Sequence, residues 1–370
     1  MSKRIHYIDW LRVLAVLLLF PFHTWRVFDV EAFYVKGAES VPLTYVLGFI
    51  SAWHMQLLFV LAGASTYFAL GKRSGAQYLG ERVKRLLVPF LFGWLVLVTP
   101  QTWIGAKLNA GYTDSLWSYV ANGDFLVLNV REGGDYWGGF GLGHLWFILF
   151  LLVLSLVALP LFLWGRGEKG SAFMRKFCRA LAHPLGALLA AFVILVGDAL
   201  PDLEGLNPFY YLAFFVLGYV AFCSTEFAVS AERYRWPALL LGTGLSVFWV
   251  ATWEWRDSLP DPSIERAVAT YFGMLATWLV IAGLIGWGRR YLDWTSDRLS
   301  YHAEASYPIY ILHQTVIVIL AWYVVRLAVA WQLQWTVLFL ASIAVTFAAY
   351  EVVRRVSPLR FFFGMRPKKT

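Results

Sequence analysis

The chain is poor in charge. Only 15% of its 370 residues are Asp, Glu, Lys or Arg, against roughly 25% in a soluble globular domain. It has two cysteines, Cys178 and Cys223, too few for a disulfide framework. It has no long hydrophilic block, which leaves no room for a separate soluble domain, and no internal repeat or low-complexity tract. The N-terminus, MSKRIHYIDW, has a short basic start but no small-residue cleavage site after the first apolar run. That run is therefore expected to be retained as a span.

What remains is apolar. Hydrophobic residues make up 59% of the chain, and the mean hydropathy is +0.61. Runs of about 20 apolar residues recur from end to end, the length that crosses a bilayer as a helix. The expected fold is an all-α polytopic membrane protein, one integral-membrane domain over 1–370 with about ten transmembrane helices. Spans are expected near 8–28, 44–70, 86–105, 144–165, 184–200, 208–225, 237–255, 266–287, 306–326 and 335–354. With both termini cytoplasmic, 23 of the 31 basic residues fall on inside segments, which is the positive-inside bias. The same bias accounts for the net charge of +8 without nucleic acid as a partner; the partner is the lipid bilayer.

Several spans carry polar residues that need a partner or a task, since a charge at mid-bilayer costs about 3 kcal/mol or more. The first, IDWLRVLAVLLLFPFHTW, holds Arg12 and His23 with ten residues between them. On a helix they stand about 16 Å apart along the axis, and about 20° from one common face. Arg12 is expected toward the cytoplasm and His23 in the outer half. The plain alternative for Arg12 is snorkelling, with Asp9 as its partner. His54 in the second span lies at a similar depth to His23. It could share a site, or it could make only a helix–helix hydrogen bond. No metal-ligand spacing accompanies the two histidines, so no metal is expected; a neutral histidine can serve instead as a general base.

Arg82 and Arg85 in ERVKRLLVP are at i, i+3 on the cytoplasmic side. They could grip phosphate groups or simply anchor the helix. His144 opens the fourth span in GHLWFI. SYPIYILHQ brings Tyr307, Tyr310, His313 and Gln314, with Tyr307, Tyr310 and Gln314 on one stripe and Pro308 expected in the first turn. His313 is expected several residues into the membrane from inside. Site role and interhelical bonding stay open for this stripe. The long outside loop, about 106–143, mixes aromatic, glycine and acidic residues, a composition suited to a sugar face and equally to an interfacial belt.

Taken in order, these segments resemble the acyltransferase family 3 membrane proteins. The carriers are Arg12 and His23 in the first span, HMQLLFVLAGAS in the second, Arg82 and Arg85 with Pro89 in ERVKRLLVP, then GHLWFI and SYPIYILHQ. One departure stands out: Ala62-Gly63 replaces the family's Ser-Gly, with Ser65 nearby. The resemblance implies an enzyme of the bacterial cytoplasmic (inner) membrane. It would take an acyl group, acetyl or succinyl, from acyl-CoA and pass it to a hydroxyl of an extracytoplasmic glycan or glycolipid. His23 would be the base, with His54, Tyr310 or His313 orienting it or stabilising the oxyanion. Arg82 and Arg85, with Arg12, would hold the CoA phosphates. A covalent acyl-histidine relay is a variant of this mechanism. A permease using the same His/Arg path and a non-catalytic partner of glycan machinery are the rival classes.

Overall fold

The computed structural model describes residues 5–126, 141–202 and 205–367. The described residues are mostly helical and include no strand. In lipid every backbone N–H and C=O must be satisfied within the protein, and the helix does so within one segment. Among the described residues seven helical runs are long and apolar enough to cross a membrane: His6–Arg26, Val41–Leu70, Gly75–Asn109, Gly143–Trp164, Ile264–Tyr291, Asp297–Val324 and Trp331–Arg355. Two sharply bent pairs, Glu168–Ala182 with Gly186–Asp198 and Pro208–Ala221 with Glu226–Arg233, raise the number to nine if each is one span. The expected span 237–255 corresponds to Arg235–Ala251, a helix of 17 residues, about 25 Å long at 1.5 Å per residue.

The helix carrying SYPIYILHQ differs from its sequence reading. It begins at Asp297 rather than near 306 and runs for 28 residues. Pro308 therefore lies inside the helix, not in its first turn, and His313 sits in its middle third. The polar start DRLSYHAEAS has no apolar period to betray it as helix, although Ser296 accepts from the Leu299 N–H and caps its first turn.

The chain divides into two compact units. The first comprises Met1–Ala15, Gly48–Glu81 and Phe150–Ser300. Its helices touch backbone to backbone through glycine. A Cβ on Gly63 would stand 2.0 Å from the Phe215 carbonyl oxygen, and one on Gly218 would stand 2.2 Å from that of Val60. Helices His54–Leu70 and Pro208–Ala221 thus cross at a pair of small residues, the usual way apolar helices gain contact where lipid competes equally well for their side chains. The glycine of Ala62-Gly63 has a packing reason, and Ser65 Oγ accepts a 2.8 Å hydrogen bond from Arg12.

The second unit comprises Val16–Leu47, Arg82–Leu149 and Tyr301–Thr370. Its core gathers Val27, Phe28, Tyr34, Val318, Ala321 and Leu338. After the first helix, fully buried Asp29 is held by Arg26 and by Lys36 Nζ at 2.9 Å. Lys36 also donates to the carbonyls of Arg26 and Glu31. This closed charge cluster pins the loop that carries Phe33 and Tyr34. The Gly75–Asn109 run contains two π-helical stretches, Val83–Leu87 and Trp94–Val98. Each is followed by a proline, Pro89 or Pro100. Proline has no N–H for the carbonyl four residues back, and the ladder widens or breaks there. For Pro89 that carbonyl belongs to Arg85, and the Tyr307 hydroxyl donates to it at 2.8 Å.

Candidate active site

Three histidines from three distant parts of the sequence meet in the second unit. His23 is near the end of the first helix, His313 is mid-helix in Asp297–Val324, and His144 lies in a 3-10 turn, Gly143–Leu145, that opens the next apolar helix. Gly143 makes that turn possible with φ +50°, a value that disfavours a side chain. The His23 and His313 ring centres are 5.1 Å apart, and those of His144 and His313 are 5.2 Å apart. Phe20 faces His313 edge-on at 6.1 Å, and Phe33, on the pinned loop, stacks on His23 at 6.2 Å.

Backbone carbonyls set the tautomers. A carbonyl oxygen only accepts, so His313 Nδ1 must donate in its 2.7 Å contact with the Tyr310 oxygen. In the neutral ring the lone pair is then on Nε2. Likewise His144 Nε2 donates to the Ile311 oxygen at 2.9 Å, and its lone pair is on Nδ1. His313 is fully buried and His144 nearly so, whereas His23 is half-buried. The arrangement is one accessible imidazole backed by two inaccessible ones of fixed orientation. It can accept a proton at the accessible ring and hold that ring's direction from behind. Among the described residues no group of three His, Cys, Asp or Glu side chains has the geometry to hold a metal ion.

Of the residues singled out from sequence, His23, Tyr310 and His313 come together. The Tyr310 hydroxyl donates to the His144 carbonyl, so it fixes the 3-10 turn rather than pointing at a reactant. Tyr307 and Gln314 are likewise paired, with Arg85 and with Gln101 at 3.0 Å, so this stripe is an interhelical hydrogen-bond seam. His313 lies off that stripe. His54 belongs to the first unit, where its Nε2 contacts the Ala15 oxygen at 2.7 Å; that is the helix–helix bond of the plainer reading. Arg12 also belongs to the first unit. It pairs with Asp9 at 3.1 Å and donates to Ser65. Arg82 and Arg85 are in the second unit, half-buried and exposed respectively. They straddle the onset of the π stretch, so the wider turn sets them further apart around the axis than an α-helical i, i+3 pair.

His144 is the site residue that sequence reasoning left out of the site. Its signal was present, a histidine beside a flexible glycine at the head of an apolar run, but its partner lies 169 residues away in sequence. Residues 127–140 of the loop 106–143 lie outside the described residues. Its described part exposes Trp117 to 79%.

The model of a family described as "Acyltransferase domain" matches residues 5–351. The chain belongs to acyltransferase family 3. Proteins named "Glucans biosynthesis protein C" from Salmonella schwarzengrund (strain CVM19633) and Salmonella heidelberg (strain SL476) are each 23% identical to it over 384 residues. The match covers 99% of this chain and 96% of each relative. No solved structure matches the chain significantly. As a membrane acyltransferase of this family, the protein has a chemical use for a half-buried imidazole: acyl transfer to a hydroxyl needs a base at the attacking oxygen.

Proposed function

We propose that this family 3 acyltransferase moves an acetyl or succinyl group from cytoplasmic acyl-CoA to a hydroxyl of a glycan or glycolipid on the outer side of the bacterial cytoplasmic membrane. The observation that carries the reading is His23, half-buried, with its ring 5.1 Å from His313. The name of the Salmonella relatives, glucans biosynthesis protein C, supports a glucan-type acceptor, and exposed Trp117 offers an aromatic face for a sugar.

In this mechanism the acceptor O–H gives its proton to His23 as its oxygen attacks the thioester carbonyl. The tetrahedral intermediate collapses, the C–S bond breaks, and the CoA thiolate leaves and takes a proton. His313 holds His23 from behind, and Tyr310 and His144 are positioning residues. The CoA phosphates bind Arg82 and Arg85. Tyr307 touches the Arg85 carbonyl, and His313 follows six residues later, about 9 Å along the helix. A flexible thioester arm can bridge that distance. Arg12 is engaged with Asp9 and Ser65, so the donor site rests on the other two arginines.

The test is binding of CoA and acetyl-CoA to the purified protein in nanodiscs, alongside Arg82→Ala/Arg85→Ala. Saturable binding that the double variant loses supports the donor site. No binding by well-folded wild-type protein would remove acyl-CoA dependence.

A further inference from the structure

The first unit holds a cavity of ≈ 490 Å³ that acyl transfer as described does not use. Lys72, Arg166 and Arg175 form its rim, and Tyr67, Tyr219 and Cys223 are among the residues of its wall. The volume is in the range of small-molecule sites. A sharp reversal builds it. A Cβ on Gly170 would meet the Trp164 oxygen at 2.0 Å, so only glycine lets Glu168–Ala182 fold back on the end of the preceding helix. That reversal brings Arg166 and Arg175 to one rim, and Lys72 joins them from the end of His54–Leu70.

The wall is fixed. Phe162 and Tyr219 stack at 3.9 Å, and the Tyr67 hydroxyl donates to the Cys223 carbonyl at 3.2 Å. Among the described residues no carboxylate lines the cavity, and none of the three rim cations makes an ion pair. Other cations of the first unit do: Arg73 pairs with Glu81 at 2.8 Å, and Arg289 with Glu232 at 2.9 Å. Arg166 spends one donor on the Arg73 carbonyl and keeps four. Positive-inside anchoring explains cations on a convex surface. It does not explain three without carboxylate partners around one concavity with an aromatic floor.

We propose that this cavity binds a phosphate ester, gripped by Lys72, Arg166 and Arg175 with its organic part on the aromatic wall, as a site separate from Arg82 and Arg85. A phosphate ester can come from an anionic lipid headgroup or from a nucleotide. Two soluble probes distinguish these sources: dihexanoyl phosphatidylglycerol and adenosine 3′,5′-bisphosphate, with dihexanoyl phosphatidylcholine as the zwitterionic control. The readout is the Tm of the purified full chain against probe concentration, since a ligand that binds only the folded state raises Tm.

At least one anionic probe should raise Tm saturably, with little effect from the control. A rise with the glycerol lipid assigns a headgroup, and a rise with the bisphosphate assigns a nucleotide. The apparent affinity should fall at least about tenfold in Lys72→Gln/Arg166→Gln/Arg175→Gln, as loss of charge-assisted hydrogen bonds does. These side chains are exposed, so glutamine keeps their stems without disturbing the core. The rise should persist in Arg82→Ala/Arg85→Ala, whose own failure to bind CoA concerns the donor site alone. No rise with either probe, or a rise that survives the triple substitution, overturns the proposal.

Discussion

His313 offers the sharpest test of how the histidine cluster works, because its two ring nitrogens have separable tasks. Nδ1 donates to the Tyr310 carbonyl at 2.7 Å, while Nε2 carries the lone pair available toward a neighbouring ring. With 5.1 Å between the His23 and His313 centres, one imidazole nitrogen can reach the other ring. Asparagine places its amide near the Nδ1 position and glutamine near the Nε2 position. His313→Asn should therefore keep the carbonyl bond and lose the contact with His23; His313→Gln should do the reverse.

The magnitudes follow from burial. His313 is fully buried, so losing its side-chain bond to the Tyr310 oxygen, which keeps only its helical backbone donor, costs about 0.5–1.5 kcal/mol. His313→Gln should lower Tm more than His313→Asn. Turnover should run the other way, with the glutamine variant faster, because orientation of a general base is part of an effect of about 10²- to 10⁴-fold. The assay is single-turnover transfer from radiolabelled acetyl-CoA in nanodiscs, with Tm measured on the same preparations. A purely structural role would make turnover follow stability in both variants. That outcome would remove His313 from the proton path.

Four further outcomes are expected. His23→Ala should cut turnover about 10²- to 10⁴-fold and leave CoA binding intact, since the His23 ring packs against Phe22, Phe33 and His313 whereas the donor phosphates are assigned to Arg82 and Arg85; near-normal turnover would void the base assignment. Asp29→Ala should cost about 3 kcal/mol, the low end for a broken buried pair because Arg26 and Lys36 keep some solvent, measured as thermal inactivation, and it should also lower turnover by freeing the loop that stacks Phe33 on His23. Gly63→Ala should destabilise by about 2–3 kcal/mol, because the new methyl would stand 2.0 Å from a backbone oxygen; thermal unfolding in detergent checks it. Tyr307→Phe should cost about 1 kcal/mol or more by stranding the Arg85 carbonyl and should weaken CoA binding in the same nanodisc assay.

The class of fold was legible because lipid imposes one secondary structure on apolar runs of this length. The residues that meet were harder to read. Arg12 and His23 share a helix, and their spacing suggested a common path, yet Arg12 makes its contacts with Asp9 and Ser65 in the first unit while His23 meets His313 in the second. Helical phase says which side chains share a face of one helix. It says nothing of which helix arrives opposite. His144 escaped for the same reason, as did the glycine crossing at Gly63 and Gly218, where each residue alone looks like an ordinary small side chain.

The π stretches mark the second limit of sequence reading, and they bear on the donor site. Pro89 and Pro100 are visible in the sequence, but whether a proline kinks, ends or widens a helix depends on who satisfies the released carbonyl. Here Tyr307, 218 residues beyond Pro89, supplies a hydroxyl for Arg85. Near Pro100 the Thr315 hydroxyl, from the same helix as Tyr307, donates to the Leu97 carbonyl, a cross-helix tie beside the second π stretch rather than a partner for the carbonyl that Pro100 releases. The helix can remain continuous across Pro89 because the helix Asp297–Val324 lends it a donor. That same helix carries His313. A displacement of Asp297–Val324 would therefore move the Arg85 carbonyl and the His313 ring together. The arginine pair assigned to the donor and the imidazole that backs the base are thus referenced to a single rigid element, an arrangement suited to holding a thioester and an attacking hydroxyl in register.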